Sequence, residues 1–338
     1  MSSARRQRYS ADNGISLSSL VILHSQFTFL QNPPLFTWPK RKQRIGYLAI
    51  HAGSGFISHV ELNWLNGRPA LASCVTRADD GDPVKTWAAY ADAPVPVGVA
   101  LSAGEYRLLP LDAPPVPPDE LKMAVRWRIK DQIDFPIDDA TVDVIRLDPA
   151  EADSTSKLLA VVANSQVLKK YIGLAERANI SLAAIDIPEL AQRNISALLE
   201  TPDRALALLS FTPQGGLLTV TRNGDLCFYR RLECNTAELP GQEELRRTLV
   251  FDRVALELQR SLDHIERQHG NWRLDKIVLA PPPAVPELAK HLQQQLYLPL
   301  ETTDLSVLFT GRLPAEPEKL TACWFALGGA LRQEERSL

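Results

Sequence analysis

Ala205–Glu233 reads ALALLSFTPQGGLLTVTRNGDLCFYRRLE. Ala205–Phe211 is a short, continuous apolar run, the pattern of a strand buried on both faces. Thr212–Gly216 supplies a turn, Leu217–Arg222 a second strand, Asn223-Gly224 a hairpin and Asp225–Glu233 a third strand. Asn-Gly marks a hairpin because both central residues of a type I′ turn need positive φ.

The same order occurs near the start of the chain. Arg44–His51 is a buried strand, Ala52–Gly55 a small-residue turn, Phe56–Trp64 an alternating strand, Asn66-Gly67 a hairpin turn and Pro69–Val75 a returning strand. This is a structural repeat with little residue identity. Helical periodicity follows each copy. After the second, a helix is predicted over about 241–269, with Val254, Leu258, Leu262 and Ile265 on its buried face and Gly270 at its C-cap. Lys276–Ala280, a helix over 285–296, a strand over 298–302 and a last helix over 320–333 complete that half. After the first copy, residues 76–118 are hard to read beyond a strand at Tyr106–Leu111. Asp119 is expected to cap a helix running to Asp134, with Leu121, Val125, Ile129 and Ile133 as its apolar stripe. Strands at 141–147 and 157–163 flank a polar loop, and a helix over 165–178, a strand at Ser181–Ile185 and a helix over 187–200 follow. Two meanders, each followed by helix and strand, with extra elements in the first, is the plan of an actin/Hsp70-like α/β fold; doubly wound folds use similar pieces.

Composition agrees with a folded chain of about two domains: 338 residues, 45% hydrophobic and 23% charged. The net charge of −3 argues against nucleic-acid binding driven by overall charge. Cys74, Cys227, Cys234 and Cys323 show no C-x-x-C spacing and read as reduced, buried thiols, which points to a reducing, cytoplasmic compartment. No apolar run reaches the length of a membrane-spanning helix. Residues 1–43 read as a disordered or mis-started extension, and the basic Lys40–Arg44 at its end could touch anionic lipid or simply flank the first strand. No G-x-S-x-G, H-E-x-x-H, Walker A or metal-spaced His/Cys cluster occurs.

Four segments carry a family resemblance: AVRWRIKDQIDFPIDD (Ala124–Asp139), AAIDIPELAQRN (Ala183–Asn194), LELQRSLDHIER (Leu256–Arg267) and ALGGALR (Ala326–Arg332). In this order and spacing they resemble the PilM-like pilus assembly family, and most closely its members from MSHA-type pili. The resemblance covers about Gly46–Arg332. It implies an actin-like ATPase (PilM/FtsA-like) fold with two related lobes and an inserted small subdomain. The first lobe would comprise 44–97, 186–203 and 321–338, the insert 98–185, and the second lobe 204–320. It also implies a protein peripheral to the cytoplasmic face of the inner membrane. PilN-like and PilO-like proteins would be its partners there, with a pilus motor ATPase as a further one.

Members of this family bind ATP through backbone turns, with a strand-end Asp orienting Mg²⁺. This chain departs at each turn. At the first, His51 precedes Gly53, Ser54 and Gly55 and stands at the acidic position. At the second, Ser210 replaces the expected Asp and Pro213 removes a backbone donor, leaving Gly215 and Gly216. At the third, Pro281, Pro282 and Pro283 replace the glycines that approach adenosine. The expectation is a degenerate nucleotide site, no catalytic residues, no metal and no required cofactor. A functional ATP-binding protein is the alternative. A sugar-kinase-like reading would need an acidic base, for which Asp186 is the one residue worth naming; as a cap for the helix after Ile187-Pro188 it has a plainer role. Lys122, Arg126 and Lys130 form a basic stripe beside Trp127, the best partner-binding group in the sequence.

Overall fold

The computed structural model describes residues 21–22, 46–53, 55–79, 81–147, 157–234, 238–239, 244–268, 272–281 and 286–333. Ser54, Pro282, Pro283, Gly270, Lys40–Arg44 and most of the predicted extension lie outside the described residues.

The first lobe begins with β1 (Val21–Ile22), β2 (Tyr47–Ala52), β3 (Phe56–Leu65) and β4 (Arg68–Ala78), followed by a short helix α1 (Pro83–Ala88) and β5 (Val97–Ala100). The insert contains β6 (Arg107–Asp112), α2 (Leu121–Arg128), β7 (Ala140–Leu147) and β8 (Lys157–Asn164). Helix α3 (Ser165–Arg177) and β9 (Leu182–Asp186) return to the first lobe, and α4 (Pro188–Ser196) leads out of it. The second lobe holds β10 (Ala205–Thr212), β11 (Gly215–Arg222), β12 (Asp225–Leu232), α5 (Glu244–Gln268), β13 (Leu274–Leu279), α6 (Pro286–Gln295) and β14 (Leu300–Thr302). A short α7 (Leu305–Leu308) and the closing α8 (Pro317–Ala330) end the described chain.

The repeat read from Ala205–Glu233 is present in both sheets. The second has the order β12-β11-β10-β13-β14 and the first β1-β9-β5-β2-β3-β4, so β4-β3-β2-β5-β9 matches it strand for strand. In each, an antiparallel meander is extended by two parallel strands. Both Asn-Gly turns take the left-handed backbone that the pair was chosen for, with φ of 51° and 79° at Asn66-Gly67 and 53° and 81° at Asn223-Gly224.

The boundaries expected for the insert, 98 and 185, cut through two strands of the first sheet. Val97–Ala100 is buried throughout and pairs in parallel with both β2 and β9. A four-residue strand buried on both faces carries no alternation, which is why it was not legible. The three-stranded insert sheet is ordered β6-β8-β7. Its strand β8 is apolar almost throughout because both faces are covered. Leu158, Ala160 and Val162 pack with Leu121, Val125 and Ile129 of α2 and the turn after it. Leu159, Val161 and Ala163 join Trp87, Leu168 and Tyr171 in the core of the first lobe.

Helix α2 is shorter than predicted. It starts after Glu120 rather than at a capping Asp119, and Glu120, with φ −90° and ψ −11°, makes no side-chain cap. The preceding Pro117-Pro118 leads into a turn already near helical geometry, so the extended conformation of a capping residue is absent. A 3₁₀ turn at Lys130–Gln132 closes the helix ahead of Phe135-Pro136.

Helices α4 and α8 form a layer between the two sheets. Ala191, Ile195 and Leu327 pack on Ala49, Val60 and Leu62 from one lobe and on Leu206 and Leu208 from the other. Among the described residues no helix is long and apolar enough to cross a membrane; α8 is apolar because it is enclosed by protein. The two helices meet at Gly328, where a Cβ would lie 2.0 Å from the Ala191 carbonyl oxygen. Gly328→Ala should therefore cost about 2–3 kcal/mol, since backbone must move to admit the methyl. Gly173→Ala in α3 meets only the Arg177 guanidinium at 3.6 Å. That change should stabilise by about 0.5–1 kcal/mol through helix propensity. Urea denaturation of both variants checks the contrast.

Candidate functional site

The end of β2 and the turn after β10 border a narrow cleft lined by His51, Thr212, Gln214, Gly215, Arg231 and Phe325, among others. Its first wall is built from the end of β2. His51 is buried, and its Nδ1 donates to the Ala100 carbonyl at 3.2 Å. The ring packs edge-on against Phe325, with centroids 5.4 Å apart, and against Phe56 at 6.4 Å. Burial lowers its pKa despite the Ala100 hydrogen bond, so the imidazole is neutral near pH 7. Gly53 donates to the Phe56 carbonyl at 2.9 Å, closing the turn. The Phe56 ring covers it so closely that a Cβ at Gly53 would lie 2.1 Å from Cζ. Gly55 turns with φ 79° and has open space around it.

The second wall is a tight hairpin. Thr212 pairs with Gly215, leaving a two-residue turn at Pro213–Gln214 rather than the longer Thr212–Gly216 turn expected. The Thr212 hydroxyl accepts from the Gln214 amide at 3.2 Å and donates to the Gly215 carbonyl at 3.2 Å, so it consumes polar groups of the turn. Gly215 has φ 130°, and Gly216 lies against Phe211 and Leu232. Ser210, at the expected acidic position, points away from the cleft and donates to Gln192 Oε1. At the third turn Ala280 donates to Leu209 and the Pro281 carbonyl accepts from Thr321 at 3.3 Å. Among the described lining residues there is no carboxylate. Mg²⁺ takes oxygen ligands and is usually held by carboxylates together with substrate phosphates, so this donor set does not fit it. Among the described residues no His/Cys/Asp/Glu cluster could hold a metal.

Arg231, the charged group among the described cleft-lining residues, reaches into a hydrogen-bonded knot around the buried Glu189 and Tyr106 that the sequence did not reveal. Its Nη2 donates to Glu189 Oε1 at 2.7 Å and its Nε to the same oxygen at 3.0 Å. The Tyr106 hydroxyl donates to Glu189 Oε2 and accepts from Arg231. Burial, then the Glu189 charge, pushes the Tyr106 hydroxyl well above its usual value. Glu189 is wholly buried, so the ion pair is what allows a carboxylate there. The knot joins the insert, α4 and β12. Nearby, the Tyr229 hydroxyl donates to the Leu108 carbonyl at 3.4 Å and adds a second link from β12 to the insert.

Asp186 is neither a helix cap nor a free base. Ile187 occupies the cap position without a side-chain bond. The Asp186 carboxylate accepts from its neighbour's amide at 2.8 Å and from Arg332 Nη1 at 2.9 Å, and it is buried away from the cleft lining.

The basic stripe of α2 divides. Lys122 is bound to the buried Asp143 at 2.7 Å. Arg126 donates to the Ala140 carbonyl at 2.8 Å and to the Ile137 carbonyl, pinning the chain that returns into β7. These two side chains hold the insert together. Trp127 and Met123, four residues apart, are 62% and 68% exposed, and Lys130 is exposed beside them.

No family model matches the chain, and no curated protein matches it in sequence. Solved structures do. A chain of the PilM-PilN type IV pilus biogenesis complex superposes with TM-score 0.64 at 19% identity, covering 85% of this chain and 98% of that one. The cytoplasmic domain of EpsL, an inner-membrane component of the type II secretion system of Vibrio cholerae, gives 0.46 at 12% identity, covering 86% and 97%. A protein from Bacteroides thetaiotaomicron with an actin-like ATPase fold and unknown function gives 0.44 at 9%, covering 85% and 100%. The chain has an actin-like fold, shared over nearly its whole length with the pilus protein.

The buried histidines set a pH dependence. Burial lowers His51, and burial followed by the Arg77 charge lowers His59 to about 4. As pH falls below about 6.5, these side chains take up protons in the unfolded chain while His59 stays neutral down to about 4. Stability is therefore full above pH 6.5 and lost on acidification, at up to about 1.4 kcal/mol per pH unit for each group. Urea midpoints between pH 7 and 5 should fall for the wild type and fall less steeply for a His51→Asn, His59→Asn double variant.

Proposed function

We propose that the chain is a non-enzymatic scaffold of the inner-membrane assembly platform of a type IV pilus. It sits peripherally on the cytoplasmic face and docks a PilN-like bitopic protein. The observation that carries this reading is the pairing of a match over 85% of this chain to a chain of the PilM-PilN complex with a cleft lined by the chain's own His51 and Phe325 and by no carboxylate among the described residues. A pilus platform needs a rigid cytoplasmic anchor, and such a cleft makes that anchor independent of nucleotide. The segments around Ala124–Asp139 and Ala183–Asn194 favour the MSHA type, with MshI as the corresponding component there. PilO-like proteins and the motor ATPase would then be further members of the same platform.

The degenerate-site reading follows from chemistry: no cleft carboxylate among the described residues, Ser210 turned into the interior and a self-bonded Pro213–Gln214 turn. The retained actin-like fold keeps one competitor in view, a PilM-like protein whose nucleotide state regulates its partner. Of the four residues first read as a docking stripe, Trp127 and Lys130 are exposed, Lys122 is exposed but paired with Asp143, and Arg126 is half-buried.

Calorimetric titration of the full chain with Mg-ATP separates the two readings. The scaffold reading predicts a Kd weaker than about 1 mM; micromolar binding would overturn the degenerate site. A peptide from the cytoplasmic N-terminus of a PilN-like protein should bind with or without nucleotide, and Trp127→Ala should weaken it about tenfold. Absence of peptide binding contradicts the scaffold reading, and unchanged affinity removes Trp127 from the interface.

A further inference from the structure

Exposed apolar side chains concentrate on one helix. Of the eight large ones among the described residues, Leu245, Leu249 and Leu256 lie on α5, at 72%, 61% and 45% exposure. This helix already has a core face: Phe251, Val254, Leu258, Leu262 and Ile265 pack into the second lobe. At about 100° per residue, the three exposed leucines fall within an arc of about 40° on the opposite side. Helix α5 is therefore apolar on two faces, one covered by its own lobe and one at its solvent pole.

The charges beside this pole are sorted. Arg246, Arg253 and Arg260 recur every seventh residue, so they form a row along one flank of the leucines, and all three are exposed. The acidic side chains within the same stretch meet neighbouring elements. Asp252 lies 2.9 Å from His291 of α6, and Glu257 lies 3.5 Å from Arg230 of β12 and 3.1 Å from Arg260. Glu244 precedes the leucines, and Asp263 and Glu266 follow Arg260. Arg253 pairs with Glu238 at 2.6 Å. The Arg253 and Arg260 pairs join partly exposed side chains, whose attraction in water is weak, so both guanidinium groups stay available to a denser array of anions. From Leu245 to Arg260 the face is about 22 Å long.

We propose that this face of α5 binds an anionic phospholipid surface. The leucines enter the boundary between headgroups and acyl chains, the arginine stems lie along the same apolar layer, and the guanidinium groups reach lipid phosphates. Lipid fits better than a folded partner because the leucines stand on a convex helix surface, and an evenly spaced arginine row meets phosphates in any register. With a net charge of −3 the chain as a whole is not drawn to such a surface, so attraction depends on this local row. The proposal deepens the peripheral placement given above by naming the surface that holds the chain. Vesicle binding needs neither a PilN-like peptide nor nucleotide, so its failure strikes this proposal and leaves the scaffold reading to its own test.

The test is co-sedimentation of the full chain with vesicles of phosphatidylcholine containing phosphatidylglycerol, and with vesicles of phosphatidylcholine alone. The chain should partition onto the first and not the second, and added salt should release it. Leu249→Asp should lower partitioning about tenfold, and Arg246→Gln and Arg260→Gln about fivefold each. All three positions are exposed, and a urea midpoint equal to that of the wild type confirms that each variant folds. Leu65→Asp and Trp127→Ala, which change apolar side chains exposed elsewhere, should leave partitioning unchanged. No partition onto the anionic vesicles, or partition of Leu249→Asp equal to the wild type, would overturn the proposal. So would a dimer in gel filtration that Leu249→Asp splits while the wild type ignores vesicles, a result that assigns the face to a second copy of the chain.

Discussion

The side-chain amide of Gln192 is the contact on which the arrangement of the two lobes depends. It is wholly buried in the middle of α4, between the sheets. Its Nε2 has two N–H groups, shared among three acceptors: the Leu208 carbonyl at 2.9 Å, Thr219 Oγ1 at 3.0 Å and the Leu217 carbonyl at 3.1 Å. Its Oε1 accepts from Ser210 and from Trp324 Nε1. One residue thereby fastens α4 to two strands of the second sheet and to α8. A buried amide with all its groups used fixes a single geometry, because any shift of helix against sheet leaves polar groups stranded in an apolar layer.

Other polar contacts extend this arrangement outward from the same helix. One turn before Gln192, Glu189 gathers Arg231 from the second lobe and Tyr106 from the insert. Beyond it, Asn194 donates to the Gly328 carbonyl at 3.0 Å, and Asp186 at the head of the segment holds Arg332. Helix α4 thus presents polar side chains to all its neighbours while Ala191 and Ile195 supply the apolar contact. The cleft inherits its character from this layer. Ser210 is drawn to Gln192 and away from the cleft, and Phe325 of α8 closes on His51. Both contacts turn these side chains toward the interior of the protein.

Much of the architecture was legible because it rests on local chemistry. The Asn-Gly turns and alternating strands located both meanders, and the i, i+4 spacing of Val254, Leu258 and Leu262 located α5. What was missed depends on partners far apart in sequence. Val97–Ala100 has no periodicity of its own and is a strand because β2 and β9 flank it. The short α1 is held by Trp87, buried against Tyr171 at a ring separation of 6.1 Å, with the Asp82 side chain capping it. In the candidate site, the residue types at His51, Ser210 and Pro213 were readable, but the partners of His51 and Ser210 were not. Glu189 and Gln192 were not readable either, since a polar residue in a helix reads as solvent-facing unless both faces are known to be covered. The basic stripe of α2 was legible at helical spacing, but the bonds from the exposed Lys122 to Asp143 and from Arg126 to the chain entering β7 depend on partners that the spacing does not show.

The central claim is that the Gln192 amide couples the helix layer to the second sheet, and a double-mutant cycle tests it most directly. Gln192→Met and Thr219→Val remove the two partners of one buried hydrogen bond while keeping volume nearly constant. Chemical denaturation of the wild type, both single variants and the double variant gives the coupling energy. The account predicts coupling of at least about 1 kcal/mol, because each single change strands the other's polar group. Additivity to within about 0.3 kcal/mol would contradict it.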